Sequence, residues 1–484
     1  MAFIRLLLMN NGRFGCKNVI HVNSCKNSLI IFNMNAKTRT MDMANGPLLK
    51  NIFIFAIPLI FTNVLQMFFN SADTIIVGKF AGDRALAAVG STGSIVFLIT
   101  SLFNGLATGT NVVVARYIGT GNKEKIHDSV QTSIALAGMG GVILTFIGIV
   151  FAKAFLSMMS TPDDIIDLSA TYMRIYFAGI IFLLLYNFGA AILRSKGDTQ
   201  RPLYFLMCSG VLNIVLNFIL IRYFGLHVIG AAAATVLSQA VSAFLVLYIL
   251  VKEDGITKLD IKHLYFDKFS LLEIMRIGIP AGLSGAVFAL SNVVVQSSIN
   301  SFNSTDIVAG NAAGNSVENY VYIGYMAFNQ ATITFTSQCM GAGRLDRVKE
   351  IMVKTMMLVI IGAVIMGVTV YVAGPAVLTL YTDKPEVVDV GMIRIKYVAS
   401  LLVFNGILDV FVNSLRGMGS SSLPTILMII GICGVRLIWI YTMFPIHRSL
   451  QTIYLCFPLS WIITSIVEFL LWILVYRKVV LQNV

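Results

Sequence analysis

Four polar side chains, Asn63, Gln66, Asn70 and Asp73, stand 3, 4 and 3 residues apart within one apolar run. That spacing puts them on one face of a helix. A carboxylate at the centre of a bilayer costs about 2.5–3.5 kcal/mol on insertion scales, so it faces water or a cation. Asp73 lies near the end of its run, where an acid costs less, and two readings stay open: cation binding, or a cap or surface pair. Asn213 and Asn217 follow at i and i+4, and Thr235 lies one turn beyond Ala231; Asn pairs of this kind also bridge neighbouring helices by hydrogen bonds. Glu318, Asn405 and Asp409 are candidates for lining a polar cavity, or for pairing with a buried neighbour. Arg436 and Glu468 sit at similar depth in the last two runs, which predicts a mutual salt bridge. Arg174 and Lys396 lie near run ends, where long basic side chains snorkel to the interface.

The elements that must position these residues are set by composition. The chain is 57% hydrophobic and 12% charged, with mean hydropathy +0.83, against about 25% charged residues in soluble domains. Twelve apolar runs are long enough to cross a bilayer as helices, near 52–78, 86–115, 129–153, 168–193, 202–222, 228–251, 272–300, 307–337, 351–373, 389–415, 424–444 and 451–476. The eighth is the least apolar. The net charge of +12 is a matter of topology rather than a nucleic-acid footprint. Loops after even-numbered runs hold 18 Lys and Arg against 6 in the opposite loops, which places the basic side and both termini in the cytoplasm. The six cysteines show no CxxC pair and no His at metal spacing, so no zinc site, disulfide framework or other cofactor is expected. Residues 1–45 fall outside the pattern and read as a disordered tail or a mis-assigned start.

Shifting the chain against itself by 222 positions aligns Pro58 with Pro280, Gly121 with Gly343, Asp167 with Asp389, Arg194 with Arg416, Gly197 with Gly419 and Pro202 with Pro424. Each copy carries six runs, an even number, so the two are parallel repeats about an axis along the membrane normal. The expected organisation is a first six-helix lobe at 46–251, a linker at 252–270 and a second lobe at 271–484. The repeated knot, "ILRSKGDTQRPL" and "SLRGMGSSSLPT", is then the turn between the fourth and fifth helix of each lobe. Arg194 can bond the last carbonyls of the preceding helix, Gly197 supplies a left-handed stop, and Pro202 opens the next helix, with Arg416 and Gly419 at the matching places of the second loop motif. The second copy lacks the equivalents of Lys196 and Asp198, which argues against an obligatory charge network in the knot.

The motifs "NSADTIIVGKFAGDRALAAVG", "ARYIGTGNKEK" with its partner "SQCMGAGRLDRVKE", and "LRSKGDTQRP" followed by "NIVLNFILI" and "GAAAATVLSQ" closely resemble the multidrug and toxic compound extrusion (MATE) family. The likeness runs from about Gly46 to the C-terminus. It implies an all-α membrane protein of twelve helices in two pseudo-symmetric lobes, a carrier rather than an enzyme. Such a carrier exports amphipathic, mostly cationic compounds in exchange for H+ or Na+ from the plasma (inner) membrane. The expected partners are small molecules and lipid, with no nucleic acid, and the chain is expected to be a monomer. The resemblance also implies a cation-coupling set of Asp73, Asn213, Asn217, Ala231 and Thr235. Many members carry Asp where this chain has Asn217, so one acid remains in place of two, which favours the proton over sodium. The alternative is a lipid-linked oligosaccharide flippase of the same architecture, whose anionic cargo calls for several deep arginines.

Overall fold

The computed structural model describes residues 41–159 and 161–482. Among them the regular elements are helices: α1 Leu48–Ala81, α2 Asp83–Thr120, α3 Lys123–Met158, α4 formed by Asp163–Ala178 and Ile180–Ser195, α5 Gln200–Tyr223 and α6 His227–Lys252 in the first half. The second half repeats them as α7 Lys268–Asn300, α8 Thr305–Gly341, α9 Leu345–Leu378, α10 Pro385–Gly417, α11 Ser422–Thr442 and α12 Leu450–Gln482. Ten of these are single spans by length and apolarity, and α4 is a span bent by 46° at Gly179. The eighth, α8, is a continuous 37-residue helix that its many polar residues make less apolar than the other spans. The tail or late-start expectation falls, for residues 1–40, outside the described residues.

The knots carry the repeat's geometry. Gly197 and Gly419 adopt φ of +93° and +91°, a conformation that costs an L side chain but not glycine. Arg194 makes no capping bond; its Nε is buried without a partner. In the first half the knot is in fact a charge network, contrary to the sequence expectation. Lys196 Nζ lies 2.7 Å from Glu253 Oε2, Arg201 Nη1 2.7 Å from the same oxygen, and Arg201 Nε 3.1 Å from Asp198. Glu253, just past α6, was missed because it belongs to the linker rather than to the repeated motif.

The halves meet on the side that carries the start of α1. There α2 crosses α7 at backbone contact: a Cβ on Gly105 would stand 2.2 Å from Gly282 N and 2.4 Å from Gly278 O. Phe53 and Phe55 of α1 pack edge-on against Phe328 and Phe335 of α8. Thr334 donates to Asn111 at 2.9 Å, and Tyr117 donates to Glu273 at 2.8 Å. The segment before α1 adds to this seam, since Met43 N donates to Gln338, and Arg347 donates to the Ala44 and Gly46 carbonyls. Lipid tails are as apolar as leucine, so close packing and such hydrogen bonds, rather than burial from water, hold helices together here. Every hydrogen bond, ring pair and glycine close approach between the halves, among the described residues, lies on this side. The opposite ends of α1 and α7 carry none, and there Gln66, Asn70 and Asn292 are exposed.

Candidate functional site

Asp73 of α1 turns toward α5. Asn217 Nδ2 donates to Asp73 Oδ1 at 2.5 Å. The Asn213 amide, one helical turn earlier, has its end atom 2.6 Å from the same oxygen when turned to donate. Thr235 of α6 stands 3.5 Å from Asn213, and its hydroxyl donates to the Ala231 carbonyl at 3.0 Å. The five residues singled out from the sequence are thus one cluster at the junction of α1, α5 and α6. Asn213 and Asn217 are buried and Asp73 is half-buried. No Lys or Arg pairs with Asp73 among the described residues. Asn217 Oδ1 is buried without a partner, an oxygen left over in a site that already holds a carboxylate. A π-helical stretch, Phe218–Tyr223, begins directly after Asn217, the kind of local distortion that recurs at functional positions.

The remaining stripe residues do not join this cluster. Asn63 is half-buried, while Gln66 and Asn70 are exposed on α1.

The acids of the second half fall into separate environments. Glu318 of α8 is a paired residue: Arg394 Nε and Nη2 lie 3.0 and 2.7 Å from Glu318 Oε2. Arg394 also donates to Asn311 at 2.6 Å and Asn315 at 2.8 Å, with the Tyr454 and Phe457 rings against it. The signal for this pair was in the sequence, since Arg394 is a basic residue inside a run and must find an acid at its own depth. Asp409 accepts from Asn329 at 3.2 Å, and Asn405 donates to Tyr325 at 3.3 Å; both partners sit on α8 and carry no charge that would have flagged them.

The expected Arg436–Glu468 bridge does not form. Arg436 reaches α7 and the Ser460 hydroxyl, whereas Glu468 lies eight residues further along α12, roughly 12 Å at 1.5 Å per residue. Glu468 shares its face with Ser465 and Trp472, which bond to Phe404 and Ser414 of α10. Both Glu468 carboxylate oxygens are buried without a partner. Arg174 and Lys396 are exposed, as snorkelling requires.

Near the knot, outside the spans, burial lowers the Lys196 ammonium from its ordinary value, partly countered by Glu253. Burial alone would raise the Glu253 carboxyl, but Lys196 and Arg201 together bring it below the ordinary carboxylate value.

A bundle of this many spans, in two repeated halves with a lone carboxylate caged by amides, is built as a membrane transporter rather than an enzyme. The comparisons agree. The MatE family model matches residues 58–219 and again 280–442, and the chain belongs to that family. It is 31% identical over 398 residues to the probable multidrug resistance protein YoeA of Bacillus subtilis, covering 80% of this chain and 85% of that protein. It is 26% identical to the probable multidrug resistance protein NorM of Thermotoga maritima, covering 80% and 84%. Among solved structures, the outward-facing conformation of a multidrug resistance MATE family transporter superposes with a TM-score of 0.84 at 23% identity, over 91% of this chain and 99% of that one.

Proposed function

We propose that this transporter exports amphipathic, chiefly cationic compounds in exchange for an inward-moving proton, by alternating access. Asp73 carries the proton. The single observation behind this reading is the environment of that carboxylate, which amides surround and, among the described residues, no basic side chain neutralises. Its charge is therefore left to a mobile cation. Asn213 supplies a partner for either state: its nitrogen donates to an ionised Asp73, and its oxygen, at the same 2.6 Å, accepts from a protonated one. A sodium ion would be offered the same carboxylate, the Asn213, Asn217 and Thr235 side-chain oxygens and the Ala231 carbonyl, with one acid rather than two.

The chain lies in the plasma membrane as a monomer with both termini cytoplasmic, as its basic loops favour. The halves, sealed on the terminal side, then form a cleft open to the outside. Protonation and cargo bind to states of different openness, and each biases the balance between them. Exchange of one proton for a monovalent cation moves no net charge, so its driving force is the pH difference, about 1.4 kcal/mol or tenfold export per pH unit; a cargo without net charge also draws on the membrane potential, about 2.3 kcal/mol per 100 mV.

The test is export of a fluorescent amphipathic cation from proteoliposomes under an imposed pH or sodium gradient. The pH gradient is expected to drive export by the wild type and not by Asp73→Asn. Undiminished proton-driven export by that variant would remove Asp73 from the mechanism, and export driven by sodium alone would replace the proton.

A further inference from the structure

Residues 41–47 cross between the halves before α1 begins, and both ends of this segment belong to the first half. Met41 N donates to the Lys196 carbonyl of the first knot at 3.0 Å, and a Cβ on Gly197 would strike the Met41 side chain. At the other end Pro47 leads directly into α1, and Asn51 of α1 reaches back to the Asp42 carbonyl at 2.9 Å. The middle is bonded to the second half. Met43, fully buried, donates from its N to Gln338 Oε1 at 3.2 Å, and Arg344 Nη1 donates to Asn45 Oδ1 at 2.7 Å. Arg347, 8% exposed, donates to the Ala44 carbonyl and, at 2.5 Å, to the Gly46 carbonyl. The residue before a proline is disfavoured in helical geometry, so Gly46–Pro47 stops α1 from winding backward and leaves these carbonyls free to be bonded.

A segment held in this way loses one set of bonds when the halves separate. Its ends are fixed to the first knot and to α1, so the bonds from Gln338, Arg344 and Arg347 are the set that breaks. On separation the carbonyls and the guanidinium both meet water, which limits the cost to the net worth of the bonds. The repeat shows that the second half is built differently here. The 222-residue offset takes Gln338 to Arg116 and Gly197 to Gly419. At Gly419 the place of Met41 is filled by the Arg116 guanidinium, a side chain of α2. The segment before α7 turns to α3, where Tyr265 donates to Asp128, and Asp267 N to Thr132 at 2.8 Å.

We propose that residues 41–47 are a latch that rides with the first half and leaves Gln338 and Arg347 each time the terminal side opens. The inference rests on reading the chain as an alternating-access exporter, but one arm of its test is independent of export. In the full chain with its six cysteines replaced by serine, nitroxide labels on Asn45→Cys and Lys349→Cys measure the latch against α9. Labels on Asn45→Cys and Gln200→Cys measure it against the first half. The purified protein in detergent is read by pulsed electron double resonance. The pair at 45 and 349 is expected to show a second, longer distance, and Arg347→Gln to raise its share relative to the shorter one by about tenfold, as for the net loss of a charge-assisted bond. The pair at 45 and 200 is expected to keep one distance in both proteins. A share of the longer distance that Arg347→Gln leaves unchanged, zero included, or a second distance in the pair at 45 and 200, overturns the proposal. If the glutamine variant does not fold, Gln338→Leu, which removes the acceptor for Met43 N, takes its place. In proteoliposomes, a reducible cross-link between Asn45→Cys and Arg344→Cys is expected to abolish export and reduction to restore it; export that continues through the cross-link also overturns the latch. A wild type that exports nothing refutes the exporter reading and leaves the distance result standing.

Discussion

Glu318 and Arg394 form a buried ion pair, with side chains 14% and 7% exposed, and the consequence of breaking it can be worked through. In Glu318→Ala the guanidinium keeps Asn311 and Asn315 but loses both contacts to the carboxylate. A buried charge stripped of its partner costs about 3–5 kcal/mol. If the chain unfolds as one unit, about 2.1 cal/mol/K per residue gives an unfolding entropy near 1 kcal/mol/K for 484 residues, so melting should fall by roughly 3–5 °C. The double variant Glu318→Leu with Arg394→Met removes both charges and should melt within about 1 °C of wild type, because a well-packed apolar pair replaces a buried ion pair at little net cost. Cys339 and Cys456 are buried free thiols, so a thiol-reactive fluorophore reads the melt once the exposed Cys208 and half-buried Cys433 are replaced by serine. Single variants that melt like wild type, or a double variant as damaged as the worse single, would refute a structural role for the pair.

Asn217→Asp restores a second carboxylate beside Asp73 and is expected to make cargo export respond to sodium, measured with sodium gradients in proteoliposomes. Gly105→Val drives a side chain into the α7 backbone and is expected to prevent closure of the terminal side; cross-linking of cysteine pairs across α2 and α7 should then fall to background. Glu253→Gln leaves Lys196, 2% exposed, without its counter-charge, and is expected to lose about 3 kcal/mol, read from the same thiol melt. Because the Glu253 carboxyl is lowered, its contribution is full above the ordinary carboxylate range near 4.3 and disappears as pH falls through the lowered value. The wild type should therefore lose stability there while the glutamine variant does not show that step.

Hydropathy located the spans because each must satisfy its own backbone in lipid, and the repeat offset placed the knots because glycine at positive φ leaves few substitutes. The amides facing Asp73 were legible as an i, i+4 pair, since helical periodicity and the family resemblance pointed to the same residues. Partner choice was not. Residue counting along straight spans puts Arg436 and Glu468 level, but Arg436 bonds to Ser460, eight residues before Glu468 on α12, so the two differ in depth by roughly 12 Å at 1.5 Å per residue. Glu253 and Asn329 became partners through long-range packing that leaves no local periodicity.

The most direct measurement is proton release on cargo binding by the purified transporter in weakly buffered solution. The account predicts release of close to one proton per molecule of an amphipathic cation bound by the wild type, and none by Asp73→Asn. Equal release by both proteins, or cargo binding without any release by the wild type, would contradict the claim that cargo and proton compete through Asp73.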